Sequence, residues 1–207
     1  MGKRASLPQG RTNDPEGVRA RLLDAAFKAF TTRGYHSTSV HDLKQEALVS
    51  GGALAHHFPT KRELGLAVLR DRVAQAVEET WIAPLQEAKT ASRGIHAVFT
   101  AIADALDSQG FVCGCPLNNL ALELSREDDE FQALIDSLFT GWLKAIADKL
   151  KADQKAGNAT SIDPEGFATL VVAAYSGAMS MAKVRQSAEP LRTCARQLDL
   201  IMRRGLK

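Results

Sequence analysis

The sequence predicts an all-α protein of about nine helices. Almost every segment after residue 14 spaces its apolar residues at helical period, and no segment shows sustained alternation rich in β-branched residues. Capping residues, prolines and glycines separate these segments. The chain has 207 residues, of which 45% are hydrophobic and 24% charged. This composition is that of an ordinary globular protein and excludes fibrous and disordered classes.

The first predicted helix covers about residues 16–32. Asp14 can cap it, Pro15 suits the first helical position, and Glu16 complements the positive end of the helix dipole. Gly34 supplies a stop. One apolar face recurs at i, i+3, i+4 and i+7, with Leu23, Ala26, Phe27 and Phe30.

Two short helices are predicted next. Ser39 and Asp42 have the spacing of a capping box that opens the second helix, with apolar positions at Val40, Leu43 and Ala47. The pair 48–49 makes a tight turn. Ser50 then caps a third helix over 51–58, which ends before a proline.

A longer fourth helix begins at the capping box 60–63 and runs towards Trp81. Pro84, three residues further on, is expected to end or kink it. Five more helices follow, at about 93–108, 117–125, 129–154, 164–186 and 190–204. The predicted organisation is a flexible basic arm, a helix-turn-helix domain and a larger effector-binding and dimerisation domain, at 1–14, 15–62 and 63–207.

Positive charge is concentrated at the N-terminal end. Residues 1–62 contain ten Lys or Arg against five Asp or Glu, a local charge of +5, whereas the rest of the chain carries −3. This asymmetry suggests a polyanionic partner, with a merely solvated basic face as the alternative. Lys3, Arg4 and Arg11 could follow phosphates or enter a minor groove, or form a disordered tail.

The three short helices have the proportions of a helix-turn-helix. In that unit the third helix projects into the DNA major groove while helix N-termini and basic side chains hold phosphates. Thr38, Ser39 and Ser50 stand at helix starts, where free backbone N–H groups favour an anion, and Lys61 adds a charge.

A specific ordered spacing runs over about residues 18–66. It consists of Leu22 to Phe27, Phe30, Gly34-Tyr35, Thr38-Ser39-Val40, Asp42-Leu43, 47–58, Lys61 and Leu64. This pattern resembles the DNA-binding domain of the tetracycline-repressor (TetR) family of bacterial regulators. The resemblance implies a two-fold homodimer with nine or ten helices per subunit and a variable C-terminal domain that binds an effector and releases DNA.

Three residues depart from that family's pattern. Lys44 replaces an alanine, Leu48 a turn glycine and Ala55 a phosphate-contacting tyrosine. A left-handed Leu48 would cost about 1 kcal/mol, and Lys44 could take over the phosphate or reach base edges. The recognition helix then offers Gly51, Gly52, Ala53 and His56. Part of the sequence preference is therefore expected from DNA shape and methyl contacts.

A second resemblance concerns the C-terminal domain. The segments 114–123, 176–178, 182–183 and 189–191 are similar to regulators of an electrophile-responsive branch, in some of which the residue matching Cys115 is a thiol sensor close to the one matching Lys183. An adjacent ammonium would stabilise the thiolate and lower the thiol pKa. The alternative is that Cys115, like Cys194, is a small buried apolar residue.

An effector cavity and a dimer interface are also expected in this domain. A small, largely apolar ligand could be lined by Phe99, Phe111, Trp142, Tyr175 and Met179, unless these residues are plain core. Small residues at 173–182 and the apolar stripe of the last helix would form a four-helix dimer interface, unless they pack within the subunit.

The leading function is a DNA-binding transcriptional regulator, a repressor released by a small-molecule or thiol-reactive effector. A helical protein-interaction module and an enzyme using Glu123, His96 and Asp104 are the alternatives. The three cysteines lack zinc-ligand spacing, and neither a metal nor a cofactor is expected. Without a signal peptide or membrane span, a cytoplasmic location with no membrane partner is expected.

Overall fold

The computed structural model describes residues 14–158 and 162–204. Within those ranges it contains nine helices and no strand, which confirms the predicted all-α fold. The predicted basic arm with Lys3, Arg4 and Arg11 lies outside the described residues. The helices are α1 (Pro15–Arg33), α2 (Val40–Glu46), α3 (Gly51–His57), α4 (61–87), α5 (Ala91–Gln109), α6 (Pro116–Leu124), α7 (Asp129–Lys155), α8 (Pro164–Arg185) and α9 (Glu189–Arg204).

The helix starts follow the predicted capping chemistry. Asp14 accepts a hydrogen bond from the backbone N–H of Gly17 at 2.9 Å. Ser39 and Asp42 form the expected reciprocal capping box, and Thr60 and Glu63 form a second one. These local bonds satisfy N–H groups that the first helical turn leaves unpaired, so short polar motifs set where the N-terminal helices begin.

Helix α4 is longer than predicted because it passes through Pro84. Two π-helical turns interrupt it, at Leu69–Val73 and Glu78–Ile82, and the helix then continues over Ala83–Glu87. A proline inside an ordinary α-helix clashes with the carbonyl of the preceding turn. Here the π turn ends two residues before Pro84 and the helix continues past it. Of the two expected outcomes, an end or a kink at Pro84, the end was therefore wrong.

The turn between α2 and α3 contains the strained residue that the sequence predicts. Leu48 has a φ of 54°, in the left-handed region, and its side chain is 89% exposed. A side chain with a Cβ is unfavourable there, and Leu48 contributes little buried surface in return.

Leu48→Gly is therefore expected to stabilise the protein by about 0.5–1 kcal/mol, since relief of strain exceeds the added backbone entropy of glycine. Thermal or urea unfolding measures this. Gln186 has the same backbone conformation, with a φ of 50°, but its amide bonds both N–H and C=O of Val112. Gln186→Gly is expected to destabilise, and a destabilised Leu48→Gly would contradict the strain argument.

One continuous core joins both parts of the chain. In the N-terminal part, α2 and α3 pack on α1 and α1 packs on α4, and Leu23, Leu43 and Leu54 are buried in this core. In the C-terminal part, α9 packs along α5 and α8, while α8 also packs along α7. The helix-turn-helix therefore sits on the first turns of α4, and the rest of α4 enters the larger helical body.

Helix α8 has two apolar faces. One is buried and includes Val171, Tyr175 and Ala178. The other is exposed and follows helical spacing, with Leu170, Ala173, Gly177, Met181 and Val184. Among the described residues, α8 is long and apolar enough to cross a membrane, with a mean hydropathy of 1.3, but 44% of that window is buried and core helices share this composition.

Candidate nucleic-acid interface and effector cavity

Helix α3 is held so that one face remains open. Leu54 and Phe58 anchor it in the core, and Ser50 accepts the Ala53 N–H at 3.2 Å to cap its start. The exposed positions are Gly51, Gly52, Ala55 and His56. The structure thus brings three of the four predicted reader residues to one surface, while Ala53 is half-buried.

Gly51, Gly52 and Ala55 leave the backbone of α3 almost uncovered on this face. Around Gly52 no atom lies within 4 Å of where a Cβ would stand, and at Gly51 the nearest atom is Lys44 Cδ at 3.9 Å. His56 is the large polar side chain on the open face, beside His57 at a ring distance of 5.3 Å. A backbone so little covered can approach another surface closely.

Two of the predicted phosphate-binding residues are engaged within the protein. Thr38 is 1% exposed, its hydroxyl donates to Gly34 O at 2.8 Å and its N–H to Tyr35 O at 3.2 Å. The predicted phosphate contact of Thr38 is therefore wrong, because both of its donors are already used. Ser39 keeps an exposed position, but its hydroxyl donates to Asp42 at 2.7 Å.

The two candidate lysines are placed differently. Lys44 is half-buried on α2, and its side chain runs beside the first residue of α3. Lys61 Nζ lies 4.3 Å above the ring of Tyr35. Partial burial lowers the Lys61 pKa, while the carboxylate of Glu123 opposes that shift. Lys44 therefore borders the open face directly, whereas Lys61 is drawn towards the interior of the domain.

Ion pairs neutralise part of the basic charge counted in the sequence. Arg33 pairs with Glu46 at 2.6 Å and Arg19 with Asp71 at 2.7 Å. Arg62 is bound by Asp128 and Glu130. In the described part of residues 14–62, the cations without a carboxylate partner are Arg21, Lys28, Lys44 and Lys61. These four could therefore meet an external phosphate without first breaking an ion pair.

A small cavity lies in the C-terminal body between α4, α6, α7 and α8. Its volume is about 90 Å³. Three predicted residues line it, namely Trp142, Tyr175 and Cys115. The remaining lining residues are Val73, Ala76, Val77, Thr80, Trp81, Pro116 and Leu117.

The other predicted cavity residues lie elsewhere. Phe99 and Met179 are buried core, and Phe99 touches the cavity wall through its ring contacts with Trp81 and Tyr175. Phe111 is 56% exposed and does not line the cavity, so that prediction was wrong. It stands in the short α5–α6 connection, where no helix covers it.

Trp81 is the aromatic lining residue that the sequence pattern did not assign to the cavity. That pattern places it only at the end of the apolar stripe of α4. In the structure it lies in the π turn Glu78–Ile82 and packs against Trp142, Tyr175 and Phe99, at ring distances of 5.0, 4.9 and 5.4 Å. The available signal was composition, since the chain has only two tryptophans.

Burial opposes ionisation of the Cys115 thiol. Cys115 is 5% exposed, and burial raises its pKa, an effect that backbone N–H groups and the Tyr175 hydroxyl only partly oppose. Lys183 instead lines a separate cavity of about 250 Å³ with Asn119 and Glu123. The expectation that Lys183 lowers the Cys115 pKa was therefore wrong in direction. All three cysteines are free.

Helix α6 connects the cavity to the helix-turn-helix. Its first residues line the cavity, and near its other end Glu123 accepts the His36 N–H at 3.2 Å. Between them, Asn119 donates to Thr31 O at 3.3 Å and to Cys113 O at 2.9 Å. A shift of α6 would therefore act on the α1–α2 corner.

A second connection joins α4 to the start of α7. Arg62 contacts Asp128 at 2.6 Å and Glu130 at 2.8 Å, and Arg70 contacts Glu130 at 2.7 Å. These bonds lower the pKa of both carboxyl groups. Because both carboxyl groups have a depressed pKa in the folded protein, the ion pairs stabilise the fold above the ordinary carboxyl pKa. This stabilisation is lost as the pH falls through the pKa of the folded state.

The residues considered for an enzyme do not form a site. Asp104 is paired with Arg192 at 2.8 Å, Glu123 is bound to the His36 backbone, and His96 is exposed on α5. None of the three lines the cavity. Within residues 14–158 and 162–204, no group of three or more His, Cys, Asp or Glu could hold a metal ion.

Comparison with protein families gives two matches. Residues 22–68 match the bacterial regulatory proteins of the tetR family. Residues 91–197 match the C-terminal domain of LmrA/YxaF-like transcriptional regulators. Together these matches cover the helix-turn-helix and most of the larger helical body.

Individual relatives and solved structures similar to this chain are also transcriptional regulators. The chain is 28% identical over 176 residues to the HTH-type transcriptional repressor DhaR of Mycobacterium sp. (strain GP1), covering 84% of this chain and 86% of DhaR. It is 24% identical over 174 residues to the regulator LmrA of Bacillus subtilis (84% and 90%). Among solved structures, a TetR protein of Rhodobacter sphaeroides superposes with a TM-score of 0.81 at 22% identity (89% and 98%). The reduced form of Escherichia coli NemR gives 0.79 at 22% (87% and 94%).

Proposed function

This chain belongs to the TetR family of bacterial transcriptional regulators, with an LmrA/YxaF-like C-terminal domain, and we propose that it is a homodimeric repressor released from a palindromic operator by a small molecule. It is a DNA-binding regulator and not an enzyme, as are the family and its named relatives. We assign DNA binding to residues 15–62 and effector binding and dimerisation to 63–207. The proposed location is the cytoplasm, where the operator is.

The open face of α3 is the observation that carries the proposal for DNA. Gly51 and Gly52 permit close approach to the major groove, His56 can donate to a base edge or phosphate, and Lys44 stands beside them. Arg21 and Lys28 can add phosphate contacts from α1. Because hydrogen-bonding side chains are few, shape and thymine methyl groups would contribute to sequence preference.

The exposed stripe of α8 supports a dimer. It offers Leu170, Met181 and Val184, the last 86% exposed, with small residues between them that allow close helix approach. Two recognition helices must reach half-sites about 34–36 Å apart, which a two-fold pair of subunits provides. α9 contributes Leu200 and Ile201, each 44% exposed, and packs its other face into its own subunit.

The position of the cavity supports release by a small molecule. A ligand between α4, α6, α7 and α8 would contact the two helices, α4 and α6, that also contact the helix-turn-helix. If it favours a subunit arrangement that no longer fits the half-site spacing, operator affinity falls by the coupling free energy, typically about 1–3 kcal/mol.

Binding to DNA from the region upstream of its own coding sequence tests the regulator proposal. Fluorescence anisotropy at several salt concentrations should show tight binding whose affinity falls steeply with salt, because phosphate contacts release counterions. An unrelated fragment of equal length is the control. Equal, weak binding to both fragments at every salt concentration would favour the alternative of a protein-interaction module.

A thiol-reactive effector is a second possibility, favoured by the position of Cys115 in the cavity wall. Burial and the raised pKa argue against fast reaction, since the thiolate is the nucleophile. We expect iodoacetamide at pH 7 to label Cys115 at least about ten times more slowly than the half-buried Cys113.

Mass spectrometry of peptides over a time course measures both rates, and raising the pH to 9 should increase labelling of Cys115. Cys115→Ser is the matched variant. Rapid labelling of Cys115, with loss of DNA binding in the natural protein but not in Cys115→Ser, would overturn this expectation and establish the thiol-reactive effector.

A further inference from the structure

The cavity wall contains buried indole N–H groups without acceptors. Trp142 is 1% exposed and Trp81 2%, and the Nε1 atoms of both are buried with no hydrogen-bond partner. Buried donors are normally paired, because an unmade hydrogen bond retains the full desolvation cost. Both residues line the same cavity. Because less than 1 Å² of each Nε1 atom is accessible, an acceptor in the cavity reaches such a donor only after a small shift of the neighbouring side chains.

The two indoles differ in their surroundings. Trp81 stands edge-on to Tyr175 at 4.9 Å, and its indole partly opposes the rise in the pKa of that hydroxyl. Trp142 has its ring centre 5.5 Å from Tyr175 and is stacked on Phe139 at 6.4 Å. The Trp142 indole does not affect the Tyr175 hydroxyl in this way, and its N–H has no hydrogen-bond partner. Trp142 is therefore the stronger candidate donor.

Water would fill this cavity poorly. A water at the indole N–H groups and the Thr80 hydroxyl could find polar partners, but it would leave the mostly apolar walls without contacts, and the Cys115 thiol and Tyr175 hydroxyl already interact. A ligand that carries an acceptor on an apolar body would satisfy the same donors and also cover those walls. Burial raises the pKa of both Cys115 and Tyr175 and keeps these groups neutral.

Charge and size narrow the ligand further. Asp, Glu, Lys, Arg and His are absent from the cavity lining, so an ionic ligand would find no counter-ion. At about 90 Å³ the cavity is smaller than the roughly 150 Å³ engineered cavity known to hold benzene. Because benzene has six non-hydrogen atoms, this space suits a body of fewer than about six.

We propose that the cavity binds a small neutral molecule with an apolar body and one hydrogen-bond acceptor, such as a carbonyl oxygen, directed at the Trp142 indole N–H. This inference rests on the proposed effector site and specifies its ligand class. Aromatic rings around the cavity could also attract a cation, and the unpaired donor argues against it.

Three small molecules of about equal size test the proposed ligand class. They are 2-butanone, which has an acceptor, 2-methyl-1-butene, which replaces the oxygen by carbon, and tetramethylammonium, which is a cation. Because the chain has two tryptophans, a ¹⁵N-labelled dimer has two indole N–H resonances. We expect 2-butanone to bind about ten times more tightly than 2-methyl-1-butene and to move the Trp142 resonance downfield.

Two variants assign the donor. Trp142→Phe keeps an aromatic ring without the N–H and is expected to abolish the preference for the ketone, whereas Trp81→Phe should largely retain it. The resonance shift in the natural protein needs no variant and applies even if Trp142→Phe folds poorly. Equal binding of ketone and alkene without an indole shift would overturn the proposal, as would tightest binding of tetramethylammonium.

The same titrations with operator DNA separate this inference from the proposed function. If the ketone binds with an indole shift but leaves operator affinity unchanged, the ligand class stands and release through this cavity fails. If an effector releases DNA without disturbing either indole resonance, release stands and the ligand class proposed for this cavity is wrong.

Discussion

Gly177→Arg is expected to leave each subunit folded and to lower operator affinity by about 100-fold or more. Gly177 lies in the exposed apolar stripe of α8, and a Cβ there meets no atom within 4 Å. Within one subunit the substitution therefore costs nothing in packing and improves helix propensity. In a dimer built on this stripe, arginines from both subunits would face each other across the two-fold axis, and linked binding to two half-sites would be lost.

Sedimentation at micromolar concentration and operator titration measure the two effects together. Gly141→Arg is the matched control, because Gly141 is also an exposed helical glycine with open space around it, but on α7. The control should remain dimeric and bind normally. A Gly177→Arg protein that stays dimeric with unchanged affinity would show that the exposed stripe of α8 is not the interface.

Gly52→Glu is expected to reduce operator affinity by about 100-fold or more at 0.15 M salt. Gly52 lies on the open face of α3 with no atom within 4 Å of a Cβ position, so the fold should tolerate glutamate. Where that face meets DNA, a carboxylate would be held against phosphates and base acceptors, and like-charge contacts at an interface cost several kcal/mol. A dimer would carry the defect in both half-sites.

Two comparisons separate charge from bulk in this experiment. Gly52→Gln adds nearly the same volume without the charge and should bind more tightly than Gly52→Glu, by a margin that shrinks as salt rises. Gly141→Glu places the same charge away from α3 and should bind normally. Wild-type affinity in Gly52→Glu would mean that another surface contacts the operator.

Local chemistry made the N-terminal helices predictable. Asp14, Ser39 and Thr60 cap helices by accepting from N–H groups three residues away, and a bond within one turn depends little on the rest of the fold. Leu48 has the left-handed conformation that the resemblance implied at the position of the turn glycine. Thr38 also stands just before a helix, but it is buried and its hydroxyl donates to the Gly34 carbonyl. Burial is a tertiary property that the local sequence does not reveal.

The cavity depended on interactions that no local pattern contains. Trp81, in the second π turn of α4, packs against the other aromatics and lines the cavity, whereas Phe111, in the α5–α6 connection, is exposed and does not line it. The same packing buried Cys115 and directed Lys183 to a different cavity. Burial then raised a thiol pKa that the presence of a nearby lysine in the pattern had predicted to fall.

By itself the sequence determined the all-α class, the helix starts, the tight turn of the helix-turn-helix and the resemblance to a DNA-binding family, because these rest on periodicity, capping and spacing within short segments. Only the tertiary structure decided which cations remain unpaired, which aromatic residues enclose a cavity and which indole N–H lacks an acceptor. Each of those properties depends on groups far apart in the chain, such as Arg62 and Glu130 or Trp81 and Tyr175, and burial and pairing exist only once such groups have been brought together.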